Sequence, residues 1–172
     1  FARAREKACD EIGHAFDDKG RAFDAYGKLN DWWTAEDAAH FEQAAAKLVE
    51  QYNAFSPLPG MSINGKLTLG ENIADLTGLT IAWRAYRASL GGKEAPVIDG
   101  LTGDQRFFIG FAQANRASMR EETLRSMLVS DPHSPARYRV LGVLRNFTPF
   151  YAAFGVNERD GMYLPPEQRV EI

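Results

Sequence analysis

Between residues 35 and 89 the chain carries two apolar stripes at helical spacing, separated by a proline-glycine loop that no helix can cross. In the first, Ala38, Phe41, Ala45, Leu48, Val49 and Tyr52 recur every three or four residues, which is one face of a helix over Ala35 to Asn53. Thr34 with Asp37 three residues on gives that helix a start signal. The second stripe, Ile73, Leu76, Leu79, Trp83 and Tyr86, predicts a helix from near Leu69 to Ser89. Ser56-Pro57-Leu58-Pro59-Gly60 forces the loop between them. Helices of this length must bury their apolar faces against one another, so the expected fold is mainly α.

The remaining segments extend the pattern. Ala, Glu, Arg and Lys enrich the stretch from about Ala2 to Phe16, with Ala8, Ile12 and Ala15 at helical spacing, and Asp17-Asp18-Lys19-Gly20 breaks it. Asn64-Gly65 between short apolar runs suggests a tight turn and a small β-hairpin. Thr102 can cap a helix carrying Phe107, Phe108, Phe111 and Ala112. Glu121 to Val129 reads as another, stopped by Asp131-Pro132-His133-Ser134-Pro135. Tyr138 to Phe147 is apolar and reads as extended, and a short helix is expected near Pro149 to Phe154.

At 172 residues the chain suits one domain, spanning 1–172. A formal net charge of −3 with mixed surface charges gives no electrostatic reason to expect nucleic acid. Cys9 is the single cysteine, so no internal disulfide can form. No apolar run approaches the roughly 20 residues that cross a bilayer. Phe1-Ala2-Arg3-Ala4-Arg5 is neither a start methionine nor a signal peptide, and the chain is expected to be a piece of something longer.

Two short patterns carry potential chemistry. Asp10-Glu11-Ile12-Gly13-His14 is one residue away from His-Glu-x-x-His, in which histidines a turn apart grip zinc and the glutamate between them activates water. Asp10 stands where the first histidine would be. Glu71 and Asp75, one turn apart in Glu71-Asn72-Ile73-Ala74-Asp75, share a helix face. Each element alone has an ordinary reading. A lone Glu-x-x-His is usually a surface or capping feature, and paired carboxylates on a charged face are usually solvated. His133 between prolines can equally be a loop histidine bonded to backbone. His40 reads as a surface residue, and Trp32 and Trp33 as core anchors.

The joint pattern is more specific. Glu11-Ile12-Gly13-His14-Ala15-Phe16-Asp17-Asp18-Lys19-Gly20 resembles the zinc-helix segment of the neprilysin and endothelin-converting-enzyme family of zinc metallopeptidases. Asp31-Trp32-Trp33-Thr34, Asn64-Gly65 with Thr68-Leu69-Gly70-Glu71-Asn72-Ile73-Ala74-Asp75, Asp131-Pro132-His133-Ser134-Pro135 and Arg137-Tyr138-Arg139 follow in the family's order. The resemblance implies the helical C-terminal part of a zincin-like metallopeptidase domain, acting on short peptides with a preference for large apolar residues after the cut. It implies zinc held by His14 and Glu71, with an open position for water. Asp75 would be the carboxylate that orients a ligand imidazole from behind. Glu11 would be the general base, His133 the oxyanion-stabilising histidine oriented by Asp131, and Arg139 the donor to a substrate carbonyl. Members of the family are often secreted, periplasmic or anchored through an N-terminal segment.

The departures define the alternatives. Asp10 replaces a zinc histidine, and a carboxylate there is a candidate third ligand with a shorter reach. Phe1 to Ala8 lacks the family's glycine-rich lead-in, and the family's N-terminal lobe and its substrate-aligning edge strand with an Asn-Ala motif are missing. The end, Arg169-Val170-Glu171-Ile172, resembles the family's C-terminus short of its final tryptophan. Three readings follow: a zinc peptidase domain, a catalytically silent helical domain that keeps the fold without the metal, and a helical module that forms a homodimer through the surface left bare by the missing lobe.

Overall fold

The computed structural model describes residues 9–30 and 32–171. It is built from helices: α1, whose described part is 9–13 and which tightens into a 3-10 turn at His14–Phe16, then α2 (Ala35–Asn53), α3 (Leu69–Ser89), α4 (Gly103–Ala114), α5 (Glu121–Ser130), α6 (Ala136–Leu144) and α7 (Thr148–Phe154). The expected start of α1 at Ala2, Asp31 of the tryptophan motif and Ile172 lie outside the described residues. Among the described residues, no helix is long and apolar enough to cross a membrane.

Local chemistry sets the ends where the sequence marked them. Thr34 accepts from the Asp37 backbone N–H at 3.1 Å and Asp37 reaches back, a reciprocal cap that satisfies donors otherwise left open at the start of α2. Thr102 and Gln105 make the same cap on α4. Gly155 in the left-handed region ends α7, where a side chain would be strained.

α3 is the central element, flanked by α2 and α6 and touched at its first half by the turn after α1. Asn72 to Leu76 are five consecutive buried residues, a pattern that only a helix covered on several sides can show. Its second half enters an aromatic cluster. Trp83 stacks on Phe108 at 5.1 Å between ring centroids and meets Phe107 and Phe147 edge-on, while Leu48, Tyr52, Ile73, Leu79 and Val143 complete the core.

Two expectations give way. The Asn64-Gly65 turn forms, with Asn64 Oδ1 accepting from Leu67 N–H at 3.0 Å, but it leads straight into α3 and joins no hairpin. Pairing among the described residues is limited to isolated bridges at Phe23–Leu29, Leu58–Met61 and Ile98–Leu101. Tyr138 to Phe147 is helical over its first part, not extended. α6 lies against both α2 and α3, so apolar residues are needed on more than one of its faces and the one-sided periodicity that signals a helix is lost. Of the paired tryptophans, Trp33 packs against the core and Trp32 stays half exposed.

Candidate metallopeptidase site

The first helix reverses the usual amphipathic arrangement. Ile12 and Phe16 are exposed, while Asp10, Gly13, His14 and Asp17 turn inward against α3. Glycine makes that approach possible. A Cβ on Gly78 of α3 would stand 2.8 Å from the Asp10 backbone nitrogen, and one on Gly13 would meet the Ala74 backbone at 3.0 Å. The two backbones therefore touch, and the polar side chains of α1 are set against Glu71 and Asp75.

The expected residues converge on one cleft of about 490 Å³, lined by Asp10, Glu11, His14, Glu71, Asp75, His133 and Arg139, with Asp131 just behind. Ala114 and Asn115 at the end of α4 close its rim, and no sequence feature had singled them out. Ligand atoms of Asp10, His14 and Glu71 all lie within 4.8 Å of one another. His14 Nε2 stands 3.7 Å from Glu71 Oε1. Ligands around a tetrahedral zinc are roughly 3.4 Å apart, given bonds near 2.0–2.1 Å. The imidazole and the glutamate thus already face a common ion position. Asp10 Oδ1 is buried and has no hydrogen-bond partner among the described residues, an arrangement that costs free energy for a carboxylate unless a cation approaches it. On these observations the donor set fits a divalent metal.

Each ring is held from behind. His14 Nδ1 bonds Asp17 Oδ2 at 2.7 Å, which leaves Nε2 facing the cleft. Asp17 is itself fixed, because its other oxygen accepts from the Lys19 and Gly20 backbone N–H groups. Burial pushes the Asp17 carboxyl up, but these N–H donors and His14 outweigh it and hold it below its ordinary value. Burial pulls His14 down, and the Asp17 hydrogen bond with the charges of Glu71, Asp17 and Asp10 outweighs that and raises it. In the sequence Asp17 stands out only as part of the helix break, and its position three residues after His14 is the one signal of this contact.

The histidine loop is anchored in the same way. Asp131 Oδ1 accepts from both the backbone N–H of His133 and its Nδ1, each at 2.8 Å, and these bonds lower the Asp131 carboxyl. His133 Nε2 lies 3.1 Å from Glu71 Oε2. Ser134, fully buried, donates to Asn72 Oδ1 at 2.8 Å and so ties the loop to the residue after Glu71.

Asp75 differs from expectation in its partner. It binds Arg139 through two bonds, Nε to Oδ2 at 2.7 Å and Nη2 to Oδ1 at 2.5 Å. Arg139 Nη2 is also 3.6 Å from Asp10 Oδ2. One guanidinium thus lies between the carboxylate expected behind a ligand and the one that replaces it. Burial pushes Asp75 up to about 6 despite Arg139, while its carboxylate neighbours raise Arg139 against its own burial. Burial also raises Asp10, against the pull of Arg139 and His14.

A glutamate on α1 and a histidine in the turn after it, set across a cleft from a glutamate on α3 and backed by an anchored histidine loop, form the arrangement that the sequence resemblance implies for a metallopeptidase. The chain belongs to peptidase family M13, whose model matches residues 4–170, and so to the neprilysin and endothelin-converting-enzyme group. It is 36% identical to Neprilysin-3 of Drosophila melanogaster over 94% of this chain and 21% of that protein. It is 44% identical to endothelin-converting enzyme 1 of Cavia porcellus over 84% of this chain and 19% of that protein. The structure matches the Mycobacterium tuberculosis zinc metalloprotease Zmp1, solved in complex with an inhibitor, with a TM-score of 0.96 and 46% identity over 99% of this chain and 28% of that one. PepO from Lactobacillus rhamnosis matches with a TM-score of 0.83 and 35% identity over 98% of this chain and 25% of that one. The chain spans about a fifth of the length of these curated relatives.

Proposed function

We propose that this chain carries the catalytic groups of a zinc metalloendopeptidase that hydrolyses short peptides, with Asp10, His14 and Glu71 as its metal ligands. The observation that carries the reading is the convergence of those three donors within 4.8 Å beside a buried, unpartnered Asp10 oxygen. A divalent metal held by Asp10, His14 and Glu71 would supply Lewis-acid polarisation of a substrate carbonyl and acidify a water. Glu11, on the wall of the cleft, is the base that would take a proton from the attacking water and later pass it to the leaving amine. His133, oriented through Asp131, donates Nε2–H to the oxygen that gains charge. Arg139 has lent Nε and Nη2 to Asp75, and its Nη1 is the donor for a substrate carbonyl.

The test is to strip the protein of metal, reload it with zinc, and measure stoichiometry together with chelator-sensitive cleavage of short peptides bearing a large apolar residue. One zinc per chain and cleavage that falls by about 10²–10⁴ in Glu11→Gln are expected. Substoichiometric metal with no cleavage would sink the proposal. One contact favours the second reading, a silent domain: Arg139 at 3.6 Å offers Asp10 a cation other than a metal. In that case Asp10→His gains zinc that the unaltered chain does not hold.

A further inference from the structure

We infer that Asp10 narrows the margin by which this cleft prefers zinc over manganese(II), an inference that rests on reading Asp10, His14 and Glu71 as ligands. Three features lead there. The donors are two carboxylates and one imidazole. Imidazole suits zinc, whereas carboxylate and water suit harder ions such as manganese. Replacing a ring nitrogen by an oxygen anion therefore removes part of the discrimination in favour of zinc, while adding a charge that any divalent cation feels.

Reach points the same way. A carboxylate is shorter than an imidazole, and α1 cannot move inward to compensate, because its backbone at Asp10 already meets Gly78 with no room for a Cβ. A carboxylate that falls short of the ion leaves part of the shell to be completed by water. The open cleft of about 490 Å³ has space for such water, which suits the larger shell of six ligands that manganese takes. The unpartnered oxygen of Asp10 is the atom that gains a partner.

The measurement needs no substrate. Metal-free protein is titrated with manganese, read by loss of the free-ion electron paramagnetic resonance signal, and with zinc, read by competition with a chromophoric chelator. The same titrations are run on Asp10→His. The chain should bind manganese, and Asp10→His should raise zinc affinity by at least about 10–100-fold, the scale on which even ligand-supporting groups act, without raising manganese affinity. Asp10→Asn, nearly the same size, should lose manganese more than zinc, and it carries the test if the histidine variant does not fold. Zinc and manganese affinities that move in parallel in the folded variants, or absence of manganese binding by the unaltered chain, overturn the inference. Failure to cleave peptides with the predicted binding ratios intact would count against the proposed function alone.

Discussion

The two halves of α3 are held in place by different physics. Beyond Gly78 the helix is clamped by rings, with Trp83 against Phe107, Phe108 and Phe147, contacts that carry no charge and are indifferent to pH or metal. Before Gly78 it presents Glu71, Asn72 and Asp75, buried or half-buried polar groups held from outside the helix: Glu71 and Asn72 by His133 and Ser134 of one loop, Asp75 by Arg139 of α6. The first half is thus a scaffold whose fit depends on protonation and ligands, and the second is a brace that keeps it there. A buried polar cluster gains little net stability over an apolar one, but losing any single member is expensive because its partner is left unsatisfied.

The largest test of that contrast is Phe108→Ala. Phe108 is 1% exposed at the centre of the ring cluster, so truncation should cost about 3–5 kcal/mol in chemical denaturation. Metal affinity of the folded fraction should be unchanged. If metal affinity falls along with stability, the two halves are one cooperative unit and the contrast fails. Asp75→Ala comes next. It leaves the Arg139 guanidinium without its bidentate partner, and about 3 kcal/mol is expected, the low end for unpairing a buried ion, because Asp10 at 3.6 Å remains. Here metal affinity should change as well, since Arg139 is freed to pair with Asp10 in competition with the ion.

The same contrast explains what could be read from the chain. Helices whose signals are local were legible: Thr34 and Thr102 name their own helix starts, and the Leu69–Ser89 stripe is long enough to set both ends. α6 was not, because burial by both α2 and α3 removes the polar face that distinguishes a helix from a strand. The site residues were named from ordered motifs, and they do converge on one cleft, yet their partners were harder to see. Arg139 and Asp75 are 64 positions apart, and nothing in either motif says that the arginine lies between Asp75 and Asp10. Ser134 and Asn72 are equally silent until the loop folds onto α3. The inward turn of Asp10 and His14, with Ile12 facing out, runs against the hydrophobic rule that reads helix faces, and only the glycine contacts at positions 13 and 78 account for it.

The smallest effect sharpens the account of the polar half. Asp17 is 5% exposed, orients His14 and accepts two backbone N–H groups, so Asp17→Asn should cost about 1–2 kcal/mol at neutral pH through weakened hydrogen bonds to a charged acceptor. The sign of its pH dependence follows from the lowered carboxyl. An acid whose folded value lies below the ordinary 3.8 holds fewer protons folded than unfolded between those two values, so its stabilisation is present above 3.8 and lost as pH falls through the folded value. The gap in unfolding free energy between the parent chain and Asp17→Asn should therefore be widest near neutrality and close on acidification below about 4. A gap that stays constant in acid would mean that Asp17 acts through packing alone. In that case the orientation of His14 is set by the turn at His14–Phe16, and the carboxylate is incidental to it.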